Sequence, residues 1–130
     1  MNKTILFIVE LIVILLVLSL LLVWPPRYLL LSNQKINQMT NRLIEETYAE
    51  QYDAAMQTLQ EIKMFWDKEK NIRAMIIEES YIMEGDNNLL QCETAVKTRN
   101  RSLAFAYANL FWHSLDESYK SLSFTAWNML

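Results

Sequence analysis

His113, Asp116 and Glu117 stand at i, i+3 and i+4, a spacing that gathers an imidazole and two carboxylates on one helical face. Such a set can hold a metal weakly or tune the imidazole. One histidine with two acids is also what an ordinary solvated face contains, and that is the reading adopted. Glu78 and Glu79 are adjacent. Consecutive helical side chains diverge by about 100°, so by themselves they cannot serve as a carboxylate pair across one bond. Cys92 is the single cysteine, which excludes an intrachain disulfide and any CxxC metal or redox motif. It reads as a small residue on a helix, with an intermolecular disulfide as the alternative. Lys97, Arg99 and Arg101 alternate with Thr98 and Asn100; this is an ordinary basic turn, with contact to anionic lipid headgroups as the rival reading.

Other chemistries lack their residues. A phosphate-cradling loop needs several glycines so that backbone N–H groups can approach the anion, and Gly85 is the only glycine in the chain. A di-iron helical site needs paired Glu-x-x-His ligands, but His113 is the sole histidine and Leu110 stands three residues before it. No serine, nor Cys92, has a nucleophile elbow around it. No enzyme, metal or cofactor is therefore expected.

The elements that carry these residues fall into two materials. The 130 residues are 52% hydrophobic, but the first quarter holds almost no charge. Beyond Leu31 there are ten Lys/Arg against fourteen Asp/Glu, a balance too mild and too mixed in sign to form a nucleic-acid footprint. About 100 residues suffice for one modest core. With Pro25 and Pro26 the only prolines and a single glycine, few residues favour positive-φ turns, and the domain should be nearly all helix.

Ile5 to Trp24 reads ILFIVELIVILLVLSLLLVW. Twenty helical residues span about 30 Å, the thickness of a bilayer hydrocarbon core. A secretory signal peptide competes with this reading, but its apolar region is shorter and ends at small residues, whereas this run ends Leu22-Val23-Trp24-Pro25-Pro26. An uncleaved single-pass anchor is expected. Trp24 and Tyr28 would sit in the interfacial aromatic belt, and the prolines would stop the helix where it leaves the lipid. Lys3 on one side and Arg27, Lys35 and Arg42 on the other do not decide the orientation. The signal-anchor layout places the C-terminal domain outside the cytoplasm. Glu10 is the one ionisable residue within the span; it either snorkels or is protonated, or it hydrogen-bonds a partner helix.

After a short connection, Ile36, Met39, Leu43 and Ile44 recur at helical spacing from about Asn33 to Glu50. Asp53 is placed to cap a second helix carrying Tyr52, Ala55, Met56, Leu59, Ile62 and Trp66, a stripe that ends in the polar run Asp67 to Asn71. Ile72, Met75, Ile76, Met83, Leu89, Leu90 and Val96 keep helical phase across Gly85, which favours one continuous or gently interrupted helix. A turn at Lys97 to Arg101 precedes the last helix. There Leu103, Tyr107, Leu110 and Ser114 form one stripe, and Phe105, Ala108, Trp112, Leu115, Tyr119 and Leu122 a second with heptad-like spacing. Two apolar sides make this either the central helix of the bundle or one whose second face meets another protein. Phe124, Trp127, Met129 and Leu130 carry the apolar character onward.

This layout resembles a bacterial domain-of-unknown-function family, four-three-six-three, of short, N-terminally membrane-anchored helical proteins. The residues that carry the resemblance are Trp66 after the Ala55 to Leu59 stripe, the acidic pair Glu78 and Glu79, the polar turn near Asn100, and Asn128-Met129-Leu130. The family often has a histidine beside the acidic pair, which this chain lacks. The resemblance implies the fold and a bacterial membrane location and supplies no catalytic residue.

The sequence thus predicts an all-α chain: an N-terminal transmembrane anchor with its interfacial flank (1–30), then a small antiparallel bundle of about four helices (31–130). The expected role is a non-enzymatic interaction module, a scaffold or accessory of the cell envelope. Its partners would be the lipid bilayer and either a membrane or envelope protein or a second copy, with no nucleic acid. Glu10, Phe105, Trp112, Leu115, Tyr119 and Trp127 are the candidate interaction residues. The rival reading is a ligand-sensing or carrier domain in which Trp66, Trp112 and their neighbours line an apolar pocket.

Overall fold

The computed structural model describes residues 2–129; Leu130, which closes the Asn128-Met129-Leu130 motif, lies outside the described residues. Among them the chain is all α, with four helices and no strand: α1 (Lys3–Tyr48), α2 (Tyr52–Ala74), α3 (Glu79–Lys97) and α4 (Arg101–Met129). α1 packs on α2 and α4, and α3 packs on the same two helices, so the four contacts close a ring of helices around one core.

Each helix contributes a seam spaced alternately by three and four residues, the pattern that keeps one line of side chains facing neighbouring helices. In α1 the buried line is Leu29, Asn33, Ile36, Thr40, Leu43 and Thr47. In α2 it is Ala55, Leu59, Ile62, Trp66 and Arg73. In α3 it is Ile82, Gly85, Leu89, Cys92 and Val96. α4 supplies Ala104, Ala108, Phe111, Leu115 and Ser118. Burial of these apolar side chains, about 1.5–3 kcal/mol for each large one, is the main force holding the helices together.

Several expectations need correction. The prolines do not end the first helix: α1 runs 46 residues, about 69 Å at the helical rise, straight through Pro25 and Pro26. Proline's fixed φ suits a helix. What it removes is the N–H that the carbonyls of Leu21 and Leu22 would receive, and tertiary packing of Leu29, Ser32 and Asn33 just downstream holds the helix on course. The expected short connection before Asn33 is therefore helix. Asp53 is not the cap of α2; Gln51 occupies that position without a side-chain hydrogen bond, and Asp53 lies in the first turn, where its charge favours the helix dipole.

The polar run Asp67 to Asn71 stays helical, and the chain turns later, at Met75 to Glu78, between α2 and α3. Ile72 and Leu90 therefore belong to different helices, and α3 passes unbroken through Gly85. In α4 neither expected stripe is the buried side as a whole: the seam runs between them, burying Ala108 and Leu115 of one and Ser114 of the other. Phe111, absent from both stripes, is in the core, while Leu103, Phe105 and Leu110 are exposed. α4 is thus one member of the ring and not a central helix.

The turns after α1 and α3 use positive φ without glycine, at Glu50 (φ 59°) and Arg99 (φ 55°). The Gln51 N–H donates to the Glu46 carbonyl at 2.9 Å and the Asn100 N–H to that of Ala95 at 2.8 Å, the long-range bond of a Schellman cap. Tyr52 pins the second turn: its hydroxyl donates to the Arg99 carbonyl at 3.3 Å, and the Arg99 guanidinium lies 5.7 Å from its ring centre. The turn itself falls where the basic run predicted it.

Candidate functional site

Two features stand out at the end of the ring nearest the apolar stretch of α1. The first is Arg73. It follows Trp66 by seven residues and so shares its inward face. The guanidinium is fully buried. Its Nη2 donates to Ser32 Oγ at 2.8 Å and to Asn33 Oδ1 at 2.6 Å, and Asn33 Nδ2 in turn donates to the Leu115 carbonyl at 3.0 Å. One cation therefore ties α2 to α1, and through Asn33 ties α1 to α4. Burial pushes the Arg73 pKa down to about 10, opposed by the nearby negative charge of Glu69, so the side chain is still protonated at neutral pH. Among the described residues Nε and Nη1 have no hydrogen-bond partner, and neither does Glu69 Oε2. The node is a clamp and a buried positive charge.

Trp66 is the hub beside it. The indole is 1% exposed, meets Phe111 edge to face at 5.4 Å, lies 5.4 Å from the Arg73 guanidinium, and donates from Nε1 to Asp86 Oδ1 at 2.7 Å. The ring passes over α3 at Gly85, where a Cβ would stand 2.6 Å from Trp66 Cζ2. Gly85 therefore serves as a gap for an indole and not as a helix cap.

The second feature is a groove of about 450 Å³ between α1 and α4, lined by Leu18, Leu21, Leu22, Pro25 and Pro26 from the first helix and Leu122 and Thr125 from the last. A smaller groove alongside it joins Ile76, Ile77 and Tyr81 to Ser118, Leu122 and Thr125.

The candidate interaction residues do not form one surface. Glu10 is exposed on the apolar part of α1. Phe105 is part-covered by Tyr48, edge to face at 5.5 Å. Trp112 and Tyr119 are half-buried, and Leu115 is a core residue, 1% exposed, whose carbonyl anchors Asn33. Trp127 is 77% exposed. Trp66 fills the core, and neither it nor Trp112 lines the two grooves described above or the one around Glu50, Asp53 and Arg99.

The residues with catalytic potential are scattered. His113 pairs with Glu117 at 3.3 Å and Asp116 with Lys120 at 2.9 Å on an exposed face. Glu78 and Glu79 are solvent-facing at the start of α3. Cys92 is buried and its thiol is pushed up to about 12 by burial, which leaves it protonated and out of reach of a partner thiol. Among the described residues no three or more His, Cys, Asp or Glu side chains gather in a group that could hold a metal ion.

The family model of DUF4363, a domain of unknown function, matches residues 23–125. The chain belongs to this family. The DUF4363 match runs from the last residues of the apolar stretch to the α4 side of the groove, so it takes in the Arg73 node, the Trp66 hub and the whole core. No curated protein and no solved structure matches the chain. The sequence points to Trp66, and to Gly85 only as a possible interruption of a helix, and gives no notice of Arg73 or Asn33 as buried partners. The available signals were a lone arginine one heptad after a tryptophan and a lone glycine inside an otherwise helical stretch.

Proposed function

We propose that this DUF4363 chain is a membrane-anchored, non-enzymatic interaction module, a helical bundle held at a bilayer by α1. The observation that carries the anchor is the state of its apolar segment. Every side chain from Asn2 to Leu21 is exposed, from Ile5 onward all but Glu10 and Ser19 are apolar, and α1 is the one helix among the described residues long and apolar enough to cross a membrane. A helix apolar all round with no protein around it is stable only in lipid. The unbroken passage of α1 into the core favours an anchor over a removable leader, because the same helix supplies Leu29, Ile36 and Leu43 to the bundle.

In this reading the bundle is antiparallel. Support comes from the pairings along α1 and α2, where Glu46 meets Thr58, Arg42 meets Glu61 and Asn33 meets Arg73. Lys63 with Glu93 and Trp66 with Asp86 relate α2 and α3 in the same sense. The contact to a protein partner is made by the outer face of α4, where Leu103 and Leu110 lie two turns apart and uncovered. The domain faces out of the cytoplasm, in a bacterial envelope.

Carbonate extraction of native membranes tests the anchor: release of the chain into the soluble fraction refutes it. Protease digestion of intact cells tests orientation, which is wrong if the domain survives until the membrane is broken. Photo-cross-linkers at Leu103 and Leu110, compared with one at exposed Lys120, test the interaction face. Recovery of monomer alone from all three positions sinks that part of the reading.

A further inference from the structure

We infer that α4 makes a second, shallow membrane contact: its last turns, from Ser121 onward, lie in the headgroup–acyl boundary of the bilayer that α1 crosses. The inference rests on the anchor reading above. Its first support is position. Trp24, stacked on Tyr28 with ring centres 5.3 Å apart, has the composition of an interfacial belt. Leu21 and Leu18 stand three and six residues deeper along α1, about 5 and 9 Å at the helical rise. Leu122 and Thr125 share a groove with those two leucines. If Trp24 marks the membrane surface, this part of α4 is below it.

The second support is chemistry. Lys120 is the last charged residue in the sequence, and Ser121 to Leu130 carries none. Ser118 is the last fully buried position of α4 among the described side chains, yet the helix continues to Met129. Phe124 and Trp127 on this extension are 68% and 77% exposed. An apolar extension so little covered by the bundle would fray in water, whereas lipid supplies what the bundle does not.

The third support is the polarity of the two ends. Beside the extension, the α2–α3 turn exposes Met75 and sets Ile76, Ile77 and one acid, Glu78, around the same groove as Leu122 and Thr125. The far end, by contrast, carries Glu50, Asp53, Lys97, Arg99 and Arg101. Depth is limited by Ser121, Thr125 and Asn128, exposed polar residues on the same turns, whose side chains must stay where headgroups and water can reach them. The contact is therefore shallow, and the groove between the two helices is filled by acyl chain.

The test uses the full chain in phosphatidylcholine–phosphatidylglycerol vesicles with acyl chains brominated near the headgroup or near the chain end. Trp24→Phe and Trp127→Phe are compared with the unaltered protein, with circular dichroism as the folding control. Each variant should remove roughly half of the lipid-quenchable tryptophan emission, because these are the tryptophans that meet lipid, and shallow bromines should quench Trp127 more than deep ones. If Trp24→Phe lowers the quenchable part and Trp127→Phe does not, the α4 contact is refuted while the anchor stands. If no tryptophan is quenched, the anchor fails and the α4 contact with it. A Trp127 emission that escapes bromine but shifts with protein-to-lipid ratio would mean that a second copy covers this face, which also overturns the proposal.

Discussion

Replacing Gly85 with alanine should destabilise the bundle even though alanine is the better helix former. Gly85 lies inside α3, where the substitution should by itself contribute about 1 kcal/mol of helix propensity. The added Cβ, however, would stand 2.6 Å from Trp66 Cζ2 and 3.0 Å from Cη2, against the roughly 3.5–4.0 Å at which carbon atoms pack. The indole has little room to retreat, since Phe111 meets it edge to face, Arg73 lies at its face and Asp86 holds its N–H. Overpacking of this kind costs about 1–3 kcal/mol. If the indole shifts enough to lose Asp86, the lost hydrogen bond adds about 1 kcal/mol.

With the Asp86 bond lost and the propensity gain of about 1 kcal/mol subtracted, the net expectation for Gly85→Ala is a loss of about 1–3 kcal/mol, read from chemical denaturation of the full chain in detergent followed by circular dichroism. Trp66→Phe removes the ring atoms that clash and should cost stability alone, by leaving a cavity. In the Gly85→Ala background the same change should cost at least about 1 kcal/mol less, a coupling that a double-mutant cycle isolates. A Gly85→Ala protein that is as stable as the parent or more so, or additive effects of the two substitutions, would refute the account of Gly85 as a gap for the indole.

At the Arg73 node, Asn33→Leu takes an acceptor from a buried cation and should cost about 3 kcal/mol, more than Arg73→Met, which removes the charge itself; denaturation midpoints in which Arg73→Met is the worse of the two would contradict this. Glu50→Gly and Arg99→Gly, at the two positive-φ positions, should each stabilise by about 1 kcal/mol, measured as a rise in melting temperature. Hydrogen bonds from Lys63 and then Lys97, opposed by partial burial, hold the Glu93 carboxyl below the usual carboxylate range. The unfolded state therefore binds that proton more readily, so the contribution of Glu93 is full above the ordinary carboxylate pKa and is lost as pH falls through its lower folded value. A Glu93→Gln variant should show a flatter decline in stability between about pH 6 and pH 3, and an unchanged slope would exclude the pairing as a source of stability.

Much of the fold was legible because composition and periodicity are local. Twenty residues interrupted only by Glu10 and Ser19, a single glycine and the 3.6-residue recurrence of Ala55, Leu59, Ile62 and Trp66 require only counting, and they indicate the apolar helix and the all-α class. The basic run at Lys97 to Arg101 also marked its turn correctly. The seams were less legible because several of their positions are polar or small. Asn33, Thr40, Arg73, Gly85 and Ser118 all lie on buried lines that a search for apolar residues passes over. For the same reason Phe111 was missed in α4, while Leu103 and Leu110, equally apolar, face outward. The α2–α3 turn at Met75 to Glu78 contains no glycine or proline to announce it, and the prolines at 25 and 26 announce a stop that does not occur.

The candidate sites divide along the same line. By itself the sequence determined that this chain has an apolar helix of membrane-spanning length, that the rest is helical, and that the catalytic signatures sought are missing. All of these depend on residue type and near-neighbour spacing. Tertiary structure alone decided that Arg73 is buried against Ser32 and Asn33, forty residues away in sequence, that Gly85 makes room for Trp66, and that Leu122 and Thr125 of α4 come to rest beside Leu18 and Leu21 of α1. Those pairings depend on how four separate helices dock. A side chain's own chemistry cannot report which neighbour the docking will bring to it.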